Sequence, residues 1–196
     1  NVVVLRGTER PFEWLMDLVA IQFPIPASWF EHKKLELTKV HAGVLISYLL
    51  MVKQIITAAK AFDHEKPAYV TGYSLGSGLA LLAALTVDLR THRGGGRAGM
   101  VQMYNYPGPR IGDPVFIDAC NHVLPYSYRI VNLSDVVPTL APVQIGGYTY
   151  RRVVVSVADW RRRGATTRWQ IIICRRLSPE SKLPVKDPIR IRDVRS

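Results

Sequence analysis

Gly72-Tyr73-Ser74-Leu75-Gly76 decides how the chain is read. Before it, Ala68-Tyr69-Val70-Thr71 is a short β-prone run that starts just after Pro67. After it, Gly78-Leu79-Ala80-Leu81-Leu82-Ala83-Ala84-Leu85 is a strong helix former. A strand that enters a helix through a turn with serine at its apex is the setting of a nucleophile elbow. Such a reversal crowds the backbone beside the apex, and residues without a Cβ relieve the crowding. The helix N-terminus then directs N–H groups and its positive dipole end at the serine, where an oxyanion would form. A glycine-rich βα turn with a solvated serine fits the same five residues, so the flanking chain has to decide.

Outward from the pentapeptide, strands and helices alternate. Val2-Val3-Val4-Leu5 has the continuous apolar character of a strand buried on both faces of a parallel sheet. Pro11 to Leu18 reads as a short amphipathic helix, and residues 21–39 as a loop with the exposed aromatic pair Trp29 and Phe30. Val40 to Phe62 has helical periodicity through Leu45, Leu49, Val52, Ile55 or Ile56, Ala59 and Phe62. Thr91 to Arg97 is a polar loop, and Met100 to Tyr106 a strand. The unit from Pro67 to Tyr106 is therefore a βαβ crossover, which implies a parallel sheet. Pro114 to Val123 follows as a helix and Tyr126 to Asn132 as a strand. The expected fold is α/β, with its site at the carboxyl ends of the strands.

Composition sets the outer limits. A chain of 196 residues, 48% hydrophobic and 21% charged, is long and apolar enough for one packed core. It opens Asn1-Val2-Val3-Val4 without methionine, and the expectation is a piece of a longer or processed protein, incomplete at both ends. The apolar run from Ala42 is interrupted at Lys53, so no transmembrane segment is expected. Cys120 and Cys174 make no disulfide framework. The net charge of +11 is uneven: residues 1–150 hold 13 Lys+Arg and 11 Asp+Glu, residues 151–196 hold 13 and 4. That break divides the chain into a core, 1–150, and a basic, atypical segment, 151–196. A charge confined to one end argues against a nucleic-acid partner for the core. No metal-ligand cluster, phosphate loop or dinucleotide fingerprint appears, and no cofactor is expected.

A serine nucleophile needs a base, a group that orients the base, and donors for the oxyanion. Asp135, in Asn132-Leu133-Ser134-Asp135-Val136-Val137-Pro138, follows a strand and suits the acid of a Ser, Asp, His order. A turn or capping aspartate fits the same spacing.

At these residues the chain resembles the class 3 lipases, the fungal-lipase-like α/β-hydrolases. Val4-Leu5-Arg6-Gly7-Thr8 with Trp14-Leu15-Met16-Asp17-Leu18 is similar to the family's Phe-Arg-Gly-Ser/Thr and Trp-x-x-Asp-Leu segment. Lys39-Val40-His41-Ala42-Gly43 resembles Val-His-x-Gly-Phe, with Val44 in the aromatic's place. Thr71 to Gly76 resembles Gly-His-Ser-Leu-Gly, with Tyr73 replacing the histidine. Pro109-Arg110-Ile111-Gly112-Asp113 with Phe116, and Arg129 to Pro138, resemble the two remaining blocks in order and spacing. The likeness covers about residues 2–142. It implies an α/β-hydrolase fold, a mostly parallel sheet with flanking helices. It also implies a triacylglycerol lipase-like carboxylic ester hydrolase acting on lipid acyl esters through an acyl-enzyme. Ser74 would be the nucleophile, Asp135 the triad acid, and Leu75 and Thr8 the oxyanion hole. His41 and Arg110 would be structural. The segment after Thr8 would carry a lid, so that Phe12, Trp14, Trp29 and Phe30 meet a lipid–water interface.

One departure matters. All five histidines, His32, His41, His64, His92 and His122, precede Asp135, whereas the family places its base after the acid. The alternative expectation is a hydrolase-fold protein impaired or inactive for want of that base. Residues 151–196, with arginine clusters at 151–152, 161–163 and 175–176, fit a divergent folded end, a terminus altered by a reading-frame change, or a basic arm. Val153 to Val157 and Gln170 to Ile173 have strand character within it.

Overall fold

The computed structural model describes residues 1–7, 21–25, 38–63, 65–93, 101–132, 143–145, 147–151, 156–160 and 169–174. In chain order the strands are β1 (Val2–Leu5), β2 (Gln22–Pro24), β3 (Lys39–His41), β4 (Ala68–Gly72), β5 (Val101–Asn105), β6 (Ser127–Asn132), β7 (Gln144–Ile145), β8 (Tyr148–Thr149), β9 (Ser156–Trp160) and β10 (Trp169–Cys174). The described helices are α1 (Ala42–Lys60), α2 (Leu75–Arg93) and α3 (Pro114–Val123). The main sheet has the order β1-β4-β5-β6-β10-β9. Its first four strands are parallel, and β10 and β9 add antiparallel beyond β6. Strands from both sides of residue 150 thus hydrogen-bond in one sheet.

Helix α2 is the centre of the core. Every residue from Ser74 to Asp88 is buried, so the helix is covered on all sides. The alanine- and leucine-rich sequence allows this, because small side chains let β4, β5 and α1 approach closely. Beneath α2 lie Leu5, Val70, Val101 and Met103 on one face of the sheet. Helix α1 packs on α2 through Val44, Leu45, Tyr48, Ile55 and Ala59. The Tyr48 hydroxyl shares a buried hydrogen bond with Thr86 Oγ1. Burial pushes the Tyr48 phenol up to about 12, against smaller opposing pulls from that bond and from Arg90. Asp113 caps α3 by accepting from Phe116 N at 2.7 Å, with Pro114 in the first turn, and its other oxygen accepts from Lys39 N at 3.1 Å.

Several expectations need correction. Strand β1 is not buried on both faces: it is the sheet's edge, and Val2 and Val4 are 64% and 70% exposed. Within residues 21–39, Gln22–Pro24 is not loop but pairs antiparallel with Lys39–His41. Val40 and His41 are accordingly strand, and α1 begins at Ala42. Tyr48, not Leu49, carries the core stripe of α1, since Leu49 points outward. Helix α2 starts at Leu75 and runs through Arg93, so Thr91 to Arg93 are its last turn and not loop. Lys53 does not shorten α1, which is long and apolar enough to cross a membrane by length and composition. One face of that helix is nevertheless built into the core. The 11–18 helix, Trp29, Phe30 and the Gly94 to Gly96 stretch lie outside the described residues.

His41 gives a pH prediction. Its backbone N–H donates to Ile111 O at 2.7 Å, and its ring tilts against Tyr150 with centroids 6.2 Å apart. Nδ1 is buried without a hydrogen-bond partner, and burial lowers the imidazole pKa from its ordinary 6.5. A depressed folded-state pKa means the unfolded chain binds the proton first as pH falls. This contribution to stability is intact above the ordinary histidine range and is lost as pH drops from there through the folded-state pKa. Urea unfolding at pH 7.5 and 5.5 should therefore show a smaller loss for His41→Phe than for the unsubstituted chain. Equal losses would contradict the assignment.

Candidate active site

Strand β4 ends at Gly72, α2 begins at Leu75, and Ser74 stands between them with φ 56°. It is the one non-glycine residue with positive φ among the described residues. Side chains rarely occupy this left-handed region, and those that do persist only where the surroundings hold them. The holding groups are visible. Ser74 N–H donates to Pro107 O at 2.8 Å, and Ser74 O accepts from Ser77 N at 3.0 Å. Tyr106 N–H donates to Gly72 O at 3.0 Å. The loop after β5 therefore grips the turn on both sides of the serine.

The two glycines of the pentapeptide are fixed by close backbone approach. A Cβ on Gly72 would lie 2.0 Å from Gly76 O, inside the first turn of α2. A Cβ on Gly76 would lie 2.2 Å from Leu5 O and 2.9 Å from Gly7 N. The carboxyl end of β1 thus passes directly over the start of α2, and the position of a Cβ on Gly7 is 3.3 Å from Ser74 Cβ. This contact explains why the turn and the Arg6-Gly7 segment, far apart in sequence, form one site.

Of the residues expected to act, Ser74 and Leu75 are described and adjacent; both are buried, with Ser74 5% exposed. Leu75 is the first residue of α2, where backbone N–H groups have no acceptor inside the helix. Thr8 and Asp135 lie outside the described residues. Their chain neighbours are informative: Gly7 directly precedes Thr8 and packs on Ser74, and β6 ends at Asn132, three residues before Asp135. The elbow and the carboxyl ends of β1, β4, β5 and β6 share one edge of the parallel strands. Beside the elbow, Val4, Leu5, Arg6, Gly7, Thr71, Gly72, Tyr73 and Tyr106 line an open groove of about 640 Å³. Its apolar walls and the half-exposed Tyr73 suit an apolar ligand. Among the described residues no group of His, Cys, Asp and Glu is placed to hold a metal ion.

Sequence reasoning gave no role to Gly108 or Arg129. A Cβ on Gly108 would fall 2.8 Å from Ser74 O, and Arg129 Nη2 donates to Gly108 O at 3.1 Å. The available signals were a glycine between two prolines, Pro107-Gly108-Pro109, and an arginine inside the strand Tyr128-Arg129-Ile130.

Comparison with known proteins shows the family and the fold. The family described as Lipase (class 3) matches residues 2–145. A lipase of Rhizomucor miehei is 35% identical over 153 residues, covering 74% of this chain and 38% of its own. A secreted mono- and diacylglycerol lipase of Malassezia globosa is 30% identical over 137 residues, covering 68% and 42%. The chain thus spans about two fifths of the length of these curated relatives. Among solved structures, the Rhizomucor miehei triacylglyceride lipase superposes with a TM-score of 0.63 at 28% identity, over 88% of this chain and 61% of that one. A fungal lipase–inhibitor complex, described as a model for interfacial activation, gives 0.63 at 26% identity, over 87% and 60%.

Proposed function

Because the chain belongs to the class 3 lipase family and has its α/β-hydrolase fold, we propose that it is a serine hydrolase of lipid acyl esters. The observation that carries the reading is Ser74 itself, held at φ 56° between β4 and the N-terminus of α2. In this conformation the serine stands at the apex of the turn, directly before the N-terminus of α2. Ser74 Oγ attacks the ester carbonyl. The oxyanion is met by Leu75 N–H and by the N–H and hydroxyl of Thr8. The alcohol departs, and water releases the acid from the acyl-enzyme. Acylation needs a base, oriented by Asp135, that takes the serine proton and returns it to the departing alcohol; none of the five histidines in these 196 residues follows Asp135 to fill that place. Preorganised donors at the oxyanion are worth about 3 to 4 kcal/mol each where one has been removed from related chemistry. The groove beside Tyr73 and Tyr106 supports an apolar acyl chain as ligand, presented at a lipid–water interface.

The competing reading is a hydrolase fold that binds esters without turning them over. It is favoured by one observation: the five histidines all precede Asp135. Hydrolysis of p-nitrophenyl butyrate and p-nitrophenyl palmitate by the purified chain separates the two. Multiple turnovers on both, with the long-chain ester favoured when dispersed as an emulsion, are expected of the lipase. Rates no higher than buffer alone would establish the inactive fold.

A further inference from the structure

Arg129 stands on β6 in register with Asn105 of β5, and it is 9% exposed. A guanidinium keeps its charge at every relevant pH, so its burial requires acceptors. One of them is Gly108 O, at 3.1 Å from Nη2 and 21 residues earlier in the chain. That carbonyl belongs to the loop that grips the elbow. Its neighbour Pro107 accepts the Ser74 N–H at 2.8 Å, and Tyr106 N–H donates to Gly72 O at 3.0 Å. Gly108 itself lies against Ser74 O and Ser77. Around this loop the packing is not solid. Arg129, Asn105, Ser77 and Gly108 line a cavity of about 30 Å³, room for about one water, and the buried Asn105 Oδ1 has no hydrogen-bond partner. The Gly108 carbonyl is thus held by the Arg129 guanidinium in addition to the close contact of Gly108 with Ser74 and Ser77.

We infer that Arg129 is a positioning residue for Ser74, acting through the Gly108 carbonyl. It fixes the loop from Tyr106 to Gly108, and the loop in turn fixes the left-handed backbone of the serine and the direction of the Leu75 N–H. The inference rests on the reading of Ser74 as nucleophile. A strained conformation relaxes when one of its restraints is removed. The relaxation moves the attacking oxygen relative to the oxyanion donors, while the groove residues Val4, Leu5 and Thr71, on strands β1 and β4, keep their places. The loss should fall on kcat rather than KM. A displacement of about 1 Å in a reacting group costs on the order of 100-fold.

The test compares the full chain with Arg129→Met and Arg129→Lys. It reads kcat and KM on p-nitrophenyl butyrate and the rate at which a fluorophosphonate labels Ser74, with circular dichroism as the check of folding. Arg129→Met is expected to lower kcat and the labelling rate about 10- to 100-fold with KM changed less than about threefold. Arg129→Lys restores a cation but not the planar fork, and should recover part of that loss. Lysine fills most of the same space, so this variant carries the test if Arg129→Met does not fold. Folded variants with the full chain's kcat and labelling rate, or with a loss entirely in KM, would overturn the inference and leave Ser74 as nucleophile. No labelling of the unsubstituted chain would overturn the nucleophile reading, and the inference with it.

Discussion

Ser74→Ala should abolish ester hydrolysis, by about 10⁴-fold or more, while leaving the fold intact. In serine hydrolases the nucleophile and its base act as a unit, so loss of the hydroxyl forfeits the whole acyl-enzyme route and leaves only binding and the oxyanion donors. Alanine inherits the same φ of 56° without the hydroxyl, so the backbone hydrogen bonds to Pro107 and Ser77 are retained. Ser74→Gly extends the test. Glycine accepts the left-handed region without the penalty of about 1–2 kcal/mol that a Cβ incurs there. It should be as inactive as alanine but more stable, measured as a higher midpoint in urea. Equal stability of the two variants would mean that the strain is absent. Retained hydrolysis in either would remove Ser74 from the mechanism.

Gly76→Ala should destabilise the protein by more than about 3 kcal/mol, above the range usual for overpacking a core. The added carbon would lie 2.2 Å from Leu5 O and 2.8 Å from Arg6 C, both backbone atoms of the strand end that faces the serine. Backbone cannot rotate away as a side chain does, so either β1 or the first turn of α2 must shift. Gly78→Ala is the matched control. It lies two residues further along the same helix, where a Cβ meets the Ile111 and Val44 side chains at 2.9 and 3.4 Å. Those methyl groups can yield, and alanine recovers helix propensity worth about 1 kcal/mol. Urea unfolding should place Gly76→Ala far below Gly78→Ala. Similar midpoints would show that β1 does not press on the elbow as described.

The fold was largely legible because the informative signals are local. The strand, turn and helix around Ser74 follow from β-branched and aromatic residues before it and an alanine–leucine run after it. The helix Pro114–Val123 announced itself by proline in its first turn and aspartate ahead of it. What sequence could not supply was neighbourhood. The four valine and leucine residues of β1 look the same on an edge as in the middle of a sheet, and only the strand order shows that Val2 and Val4 face outward. Residues 22–24 carry proline and resemble loop, yet they pair with Lys39–His41 across 14 intervening residues. Contacts of that kind depend on the tertiary arrangement and leave no periodicity. The same holds for the site. The two pentapeptide glycines were legible as relief of crowding, and for Gly72 the crowding atoms are indeed local, on Gly76 and Ser77, but for Gly76 they come from Leu5, Arg6 and Gly7, about 70 residues away. Arg129 was legible only as a charge in an apolar strand, and its acceptor on Gly108 could not be read from spacing.

An activated Ser74 nucleophile differs from a buried turn serine in its reactivity toward a fluorophosphonate, read by intact-mass and peptide analysis of the purified chain. One adduct per chain is expected, carried by Ser74 and absent from Ser74→Ala and from the heat-unfolded protein. An unmodified chain after prolonged incubation, or an adduct that persists in Ser74→Ala, would contradict an activated Ser74.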